Sequence, residues 1–359
     1  MAVKRKPKPL FFILVLFIIL LLLIGGIIGT WFYMVSPVDK NNSDKIEIEI
    51  TSGVTSSQIG HLLQEKGLIR NELLFKIYLK MNHIGNLKAS KYTLHKGMSL
   101  EEIVKTLEDG NSYNPDEIKI TFKEGIRITD YAEEIAKNTN HSAEEFLKLM
   151  KDREFVKTFI PDYWFLTDEI LNNNIYYPLE GYLAPDTYHF KNKDVEISDI
   201  ITTMLKQTEK NLETYKNRFE KKPHYYVTMA SIIELEGTNT ENKELIAGVF
   251  ENRLAISMNL GSDVTTYYAL QLPMTSDLTA EQFNTVNPYN TRSATMAGKM
   301  PVGPICNPGK GSLAASVNPT KSDYYYFVAD KNKKIYFTKT AAEHSQKVAE
   351  IKANGDWIW

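Results

Sequence analysis

The longest hydrophobic run lies near the start of the chain. From Leu10 to Ile28 every residue is Leu, Ile, Phe, Val or Gly. At ~1.5 Å per residue, a helix of that run reaches ~28 Å, close to the hydrocarbon thickness of a bilayer. Trp31, Phe32 and Tyr33 follow at once, as aromatics do at a membrane–water boundary. Val35 to Ser43, rich in Pro, Asn, Asp and Ser, reads as a linker. Beyond it a shorter unit occurs three times: a strand, a glycine turn, a Ser or Thr near a helix start, and an amphipathic helix. The first copy runs through Ile46-Glu47-Ile48-Glu49-Ile50, Gly53, Thr55 and a helix with Ile59, Leu62 and Leu63. The second has Lys91 to Leu94, Gly97, Ser99 and a helix with Leu100, Ile103, Val104 and Leu107. The third has Ile118 to Phe122, Gly125 and a helix through Tyr131 and Ile135. Hydroxyls near helix starts cap free N–H groups, and glycine supplies the tight turn.

Further helices are expected over Asn71 to Met81, Ser142 to Met150, Ser198 to Tyr215, His224 to Leu235 and Lys243 to Leu254, the last with one apolar face. Asn287 to Gly311, dense in Pro, Gly and Asn, reads as irregular. Tyr324 to Ala329 and Lys334 to Thr338 predict a hairpin, and Ala341 to Ala353 a last helix. The pattern gives an α+β chain. It divides into a tail (1–9), a membrane helix (10–34), a linker (35–45), a strand–helix arm (46–112), a second strand–helix region with a junction (113–190) and a C-terminal domain (191–359).

Charge gives the orientation. Lys4, Arg5, Lys6 and Lys8 precede the apolar run without an acidic residue, which favours a cytoplasmic N-terminus and an outward-facing remainder. A cleaved signal peptide is the alternative, but its apolar core would be shorter, and no small-x-small cleavage site follows Gly29. The formal net charge is −2, so the part beyond the basic tail is mildly acidic and lacks the basic cluster that nucleic acid requires. Cys306 is the only cysteine, so no intramolecular disulfide or cysteine-based zinc cluster can form. The seven histidines show no HExxH spacing, and there is no GxSxG elbow. Gly303 to Ser312 (GPICNPGKGS) resembles a phosphate-binding loop, but its glycine spacing is wrong and Gly311 replaces the hydroxyl residue after Lys310. It reads as a structural loop.

One carboxylate remains of interest. Glu234 ends the uncharged run VTMASII, which predicts a helix buried on all sides. A desolvated glutamate there should hold its proton near neutral pH, as a general acid acting on a glycosidic oxygen must. The competing expectation is a helix-end glutamate that reaches water or pairs with an arginine such as Arg253. Glu236 projects ~200° away from Glu234 around a helix and is expected on or near a solvated face.

The motifs MASIIELEG, VFENRL, GSDVT, NPYNTR, PVGPICNPG and YYYFVAD follow in order along the C-terminal half. With them, the chain closely resembles the endolytic murein transglycosylases of the MltG (YceG-like) family, from about Ile46 to the last helix. The first strand–helix–helix–strand unit, Ile46 to Leu94, looks like a LysM module, which binds N-acetylglucosamine in wall glycans; a plain spacer arm is the equal alternative. The resemblance implies a lysozyme-like, non-hydrolytic catalytic domain that cuts peptidoglycan strands internally, without metal or cofactor, and places the catalytic glutamate on Glu234. It also implies cell-wall synthases (penicillin-binding proteins) as partners. Asn252, Asp263, Tyr289, Asn290 and Asn307 lie in the other motifs as candidate sugar contacts, and equally as turn-bracing residues. Two departures stand out: Ala184 where many members have Phe, and Leu235 where other lysozyme-like lytic enzymes carry Ser. Two alternatives remain open: a two-carboxylate muramidase using Asp263, and a non-catalytic glycan-binding scaffold.

Overall fold

The structure, a computed structural model, describes residues 9–51, 53–110 and 117–357. The basic residues Lys4 to Lys8 and the expected 112/113 boundary lie outside the described residues. The chain forms two compact units, Met1–Asp116 and Glu117–Trp359.

The first unit begins with α1 (Pro9–Val35). Its Phe17–Val35 stretch is long and apolar enough to cross a membrane and is not buried by protein. Then come β1 (Ile46–Ile50), α2 (Ser56–Glu65), α3 (Glu72–Met81), β2 (Ser90–Leu94) and α4 (Leu100–Asp109). β1 and β2 pair antiparallel, Ile46 opposite Leu94 and Ile50 opposite Ser90. The alternation predicted for β1 is realised: Ile48 and Ile50 are buried while Glu47 and Glu49 face water. They pack with Leu63, Phe75, Leu79, Ile103 and Leu107 into one core. The predicted caps are present. Thr55 and Ser99 each accept the N–H three residues on, and Gln58 and Glu102 return the bond.

The second unit contains β3 (Ile118–Thr121), α5 (Ile128–Asn138), α6 (Ala143–Lys151), α7 (Arg153–Lys157), β4 (Thr187–Phe190), α8 (Ile197–Glu213), α9 (Pro223–Glu236) and α10 (Thr240–Ala255). It continues with α11 (Asp263–Ala269), α12 (Ala280–Phe283), α13 (Lys310–Val317), the hairpin β5 (Tyr326–Ala329) and β6 (Ile335–Thr338), and α14 (Ala341–Ala353). Here the third strand–helix copy departs from the other two. β3 pairs antiparallel with β4 from the junction, Ile118 opposite Phe190. No hydroxyl caps α5; the Ile128 N–H is instead taken by the distant Glu180 carboxylate. The expected division at 190/191 also differs from the structure. Ile120, Tyr131, Phe165 and Tyr182 share one apolar core with Ile200 of α8 and Val227 and Ala230 of α9, so the second strand–helix region and the C-terminal helices form one compact unit.

α9 is the centre of that unit. Val227 and Ala230 enter the core just described, while Met229, Ile232 and Ile233 enter a second one with Ile246, Phe250, Tyr268, Tyr289 and Ile305. Every residue from Tyr226 to Ile233 is buried. α13 packs against both α9 and α10. Ser231 holds the preceding loop to α9, its hydroxyl accepting the Ile305 N–H at 3.1 Å and its carbonyl the Cys306 thiol at 3.2 Å.

α10 is held closely against the loop after α13. The Thr320 N–H donates to Glu244 O at 3.0 Å, and a Cβ on Gly248 would lie 2.1 Å from Thr320 O. That oxygen is main chain and cannot swing aside. Gly248→Ala should therefore destabilise the second unit by about 1–3 kcal/mol despite alanine's better helix propensity. Thermal unfolding of both variants checks this, and an unchanged or raised melting temperature would contradict the packing.

Candidate active site

Glu234 leaves the last turn of α9 and is only 9% exposed. Three groups converge on it. Lys243, four residues into α10, places Nζ 3.2 Å from Oε1 and 3.1 Å from Oε2. The Gly309 N–H donates to Oε2 at 3.0 Å and the Ser312 hydroxyl at 2.5 Å. Gly309 is the N-cap of α13 and Ser312 lies in its first turn, so the carboxylate sits at the positive end of a helix dipole. Two expectations change accordingly. Glu234 is not an unpaired acid among apolar groups, and its cation is Lys243 rather than Arg253. The loop at 303–312 is more than a structural connection: its end starts α13 and forms the Glu234 cradle.

Glu236 also differs from expectation. It is half-buried, and its Oε1 accepts the Ser262 hydroxyl at 2.6 Å. Burial raises its pKa, against the Ser262 hydrogen bond and the nearby Arg253. The angular separation from Glu234 stands, but turning away from one pocket leads into a second, only partly open to water, where Ser262 meets the carboxylate. Arg253 lies beside that second pocket, its guanidinium donating to Tyr325 O and Leu260 O.

The five other candidates are dispersed. Asn252 donates to Ser322 O and Tyr324 O, each at 2.9 Å. Asn290 is fully buried, donating to Phe283 O and Thr285 O and accepting from Thr266. Tyr289 is buried among Tyr176 and Tyr268. Asp263 is exposed and ion-paired with Arg292. Asn307 alone belongs to the segment that holds Glu234. Its Oδ1 accepts the N–H groups of Gly181 and Leu183 at 3.0 and 3.2 Å, and its Nδ2 donates to Glu180 at 3.1 Å. In this structure the amides of Asn252, Asn290 and Asn307 brace loops, the role these residue types allow beside prolines and glycines.

Behind Asn307 lies a residue the sequence did not single out. Glu180 is 1% exposed. It accepts from the Ile128 N–H, the Tyr268 hydroxyl and Asn307. Asn307 in turn clamps the loop after β3, through Gly125 N–H to Asn307 O at 2.9 Å and Asn307 N–H to Ile126 O at 3.0 Å. Glu180 thus joins α5, α11 and the loop that leads to Gly309. Burial pushes its pKa up to about 8, against the hydrogen bonds from Ile128 and Tyr268 and the nearby Arg127. Its place within EGYLAPDTYHF was visible, but nothing in that spacing reveals partners at positions 128, 268 and 307.

Comparison with known proteins agrees on one family. The YceG-like family model matches residues 48–350. The endolytic murein transglycosylase of Bacillus subtilis (strain 168) is 36% identical over 334 residues, covering 90% of this chain and 89% of that protein. The endolytic murein transglycosylase of Streptococcus pneumoniae serotype 2 is 33% identical over 347 residues, covering 91% of this chain but 62% of that longer protein. A crystal structure of a protein described as yceG-like from Listeria monocytogenes superposes with a TM-score of 0.61 at 39% identity, covering 85% of this chain and 99% of that one.

Glu180 predicts a pH signature. With a folded pKa near 8 against an unfolded value near 4.5, the folded protein retains this proton where the unfolded chain has lost it. Its contribution to stability is therefore largest at acid pH and declines as pH rises from about 4.5 to about 8, by at most ~1.4 kcal/mol per pH unit. Glu180→Gln, which cannot ionise, should flatten that slope whatever it does to the overall level. Denaturant titrations between pH 5 and 8 check it, and parallel slopes in the two proteins would contradict it.

Proposed function

The chain belongs to the YceG-like family, and we propose that it is an endolytic peptidoglycan lytic transglycosylase acting in cell-wall synthesis. It cuts between N-acetylmuramic acid and N-acetylglucosamine within glycan strands and leaves 1,6-anhydro-muramic ends. The observation that carries this reading is the single, nearly buried Glu234, held by Lys243, Gly309 N–H and Ser312. Glu234 protonates the glycosidic oxygen as the bond from C1 breaks. The positive charge at the sugar is met by the substrate's own acetamido group or by site dipoles. Glu234, now ionised, takes the proton of the muramic 6-hydroxyl as that oxygen bonds to C1 and closes the anhydro ring. Its three donors suit this second half directly, because they stabilise and aim a charged carboxylate.

α1 serves as a single-pass anchor with a cytoplasmic N-terminus, leaving the rest of the first unit and the second unit outside the membrane. The β1–α2–α3–β2 unit acts as a LysM-like arm, supported by its element order and the antiparallel pairing of its strands. Cell-wall synthases are the expected protein partners. The two-carboxylate hydrolase and the non-catalytic scaffold are not favoured, since relatives that match about nine-tenths of the chain are named as transglycosylases. Asp263, the hydrolase's second carboxylate, is already committed to Arg292.

Two measurements test the reading. Glu234→Gln keeps size and shape but donates no acid proton, so folding and glycan binding should persist while cleavage falls by ~10⁴-fold or more. Wild-type products, resolved by mass, should be one water lighter than hydrolytic ones; reducing muramic ends as the main product would instead establish a hydrolase. Separately, a reporter fused after Trp359 should be active only outside the cytoplasm, and a cleaved, freely released main species would refute the anchor.

A further inference from the structure

A second carboxylate reaches the Glu234 cradle, and it is not Asp263. Glu124 follows β3 in the loop that Asn307 clamps on the far side of Gly125. Its carboxyl group lies against Gly309, where a built Cβ would fall 2.1–2.4 Å from the Glu124 carboxyl carbon and oxygens. The N–H of that same glycine holds Glu234. From the bond lengths between them, the two carboxylates are no more than about 8 Å apart. That upper limit falls inside the range of separations for two acidic groups flanking one glycosidic bond, about 5–9.5 Å. Glu124 is exposed, unlike Glu234, and among the described residues no hydrogen bond or ion pair engages it. An immobilised backbone carrying a free, solvent-facing carboxylate beside the acid is costly to arrange for packing alone. Gly309 shows the same bias: a Ser, Asp or Asn would cap α13 better, yet any side chain there would push into Glu124.

We propose that Glu124 is a second catalytic carboxylate, facing the bound glycan opposite Glu234 and stabilising the positive charge that develops at C1 and the ring oxygen. It forms no bond and moves no proton. The C1–oxygen bond still breaks with the proton from Glu234, and the muramic 6-oxygen still closes on C1. The inference rests on the transglycosylase reading. A purely structural role, as counter-charge for the start of α13, is the competing explanation.

The experiment uses the full-length protein in detergent micelles with purified glycan strands, comparing wild type, Glu234→Gln, Glu124→Gln, Glu124→Asp and Gly309→Ala. Glu124→Gln should lose about 10²-fold in kcat with KM within about threefold, an unchanged melting temperature and products still ending in the anhydro ring. Glu124→Asp keeps the charge and should recover most of that loss. Gly309→Ala keeps the N–H to Glu234 but displaces the Glu124 carboxylate, so it should lower kcat similarly. Combined with Glu124→Gln it should add little further loss. Wild-type kcat in Glu124→Gln, or equal activity in the Asp and Gln variants, would overturn the proposal while leaving Glu234 as the acid. A wild-type protein that leaves glycan uncut would overturn the transglycosylase reading and this inference together.

Discussion

Burying α9 on every side is the constraint from which the rest of the catalytic unit follows. A helix whose residues 226–233 are all buried needs two separate apolar partners, and it has them: one core built with the β3–β4 region and α8, the other with α10, α11 and the loops around Tyr289 and Ile305. Because both cores lean on the same helix, its last turn is fixed from both sides. Glu234 and Glu236 therefore emerge into protein-lined pockets, and a side chain held this way can be aimed to within a fraction of an ångström.

The cradle around Glu234 is assembled from three segments distant in sequence. Lys243 is nine residues away, folded back after the short turn between α9 and α10. Gly309 and Ser312 lie more than seventy residues on. Gly125, on the loop after β3, completes the wall, since a side chain there would touch Glu234 Cγ at 3.5 Å. Asn307 and Glu180 tie the last two segments together. The junction EGYLAPDTYHF is thereby more than a connection between domains: its Glu180 and β4 belong to the same compact unit as the acid.

What the sequence revealed divides along physical lines. Local signals held up: the β1 alternation, the Thr55 and Ser99 caps, the apolar run before Glu234 and the last helix, Ala341 to Ala353. Each depends on spacings within one element. The pairing of β3 with β4, across more than sixty residues, has no such signal. Nor does the short α13, whose Gly and Ser residues and preceding Pro and Gly weaken the helical signal and which packs on α9 and α10. Lys243 escaped notice because a separation of nine matches neither helix nor strand neighbours. Glu236 was misplaced because the periodicity of a helix gives direction but not what lies there.

The partners of Glu234 bear on how one residue could serve as acid and then as base. Lys243 bridges both carboxylate oxygens, and Oε2 is held in addition by the Gly309 N–H and the Ser312 hydroxyl at the start of α13. Among the described residues, Oε1 has no hydrogen-bond partner besides Lys243, which sits at the end of a flexible stem. The two oxygens are therefore unequal: one fixes the carboxyl plane, and the other has a partner that can leave. A sugar entering from the Lys243 side would exchange a mobile cation for an apolar ring face, without disturbing the orientation set by Oε2. In the mechanism proposed above, the oxygen so released would be the one to present the proton and later collect it. That proposal gives orientation and proton transfer to different oxygens of one carboxylate, so that a single group would do work that other glycosidases divide between two.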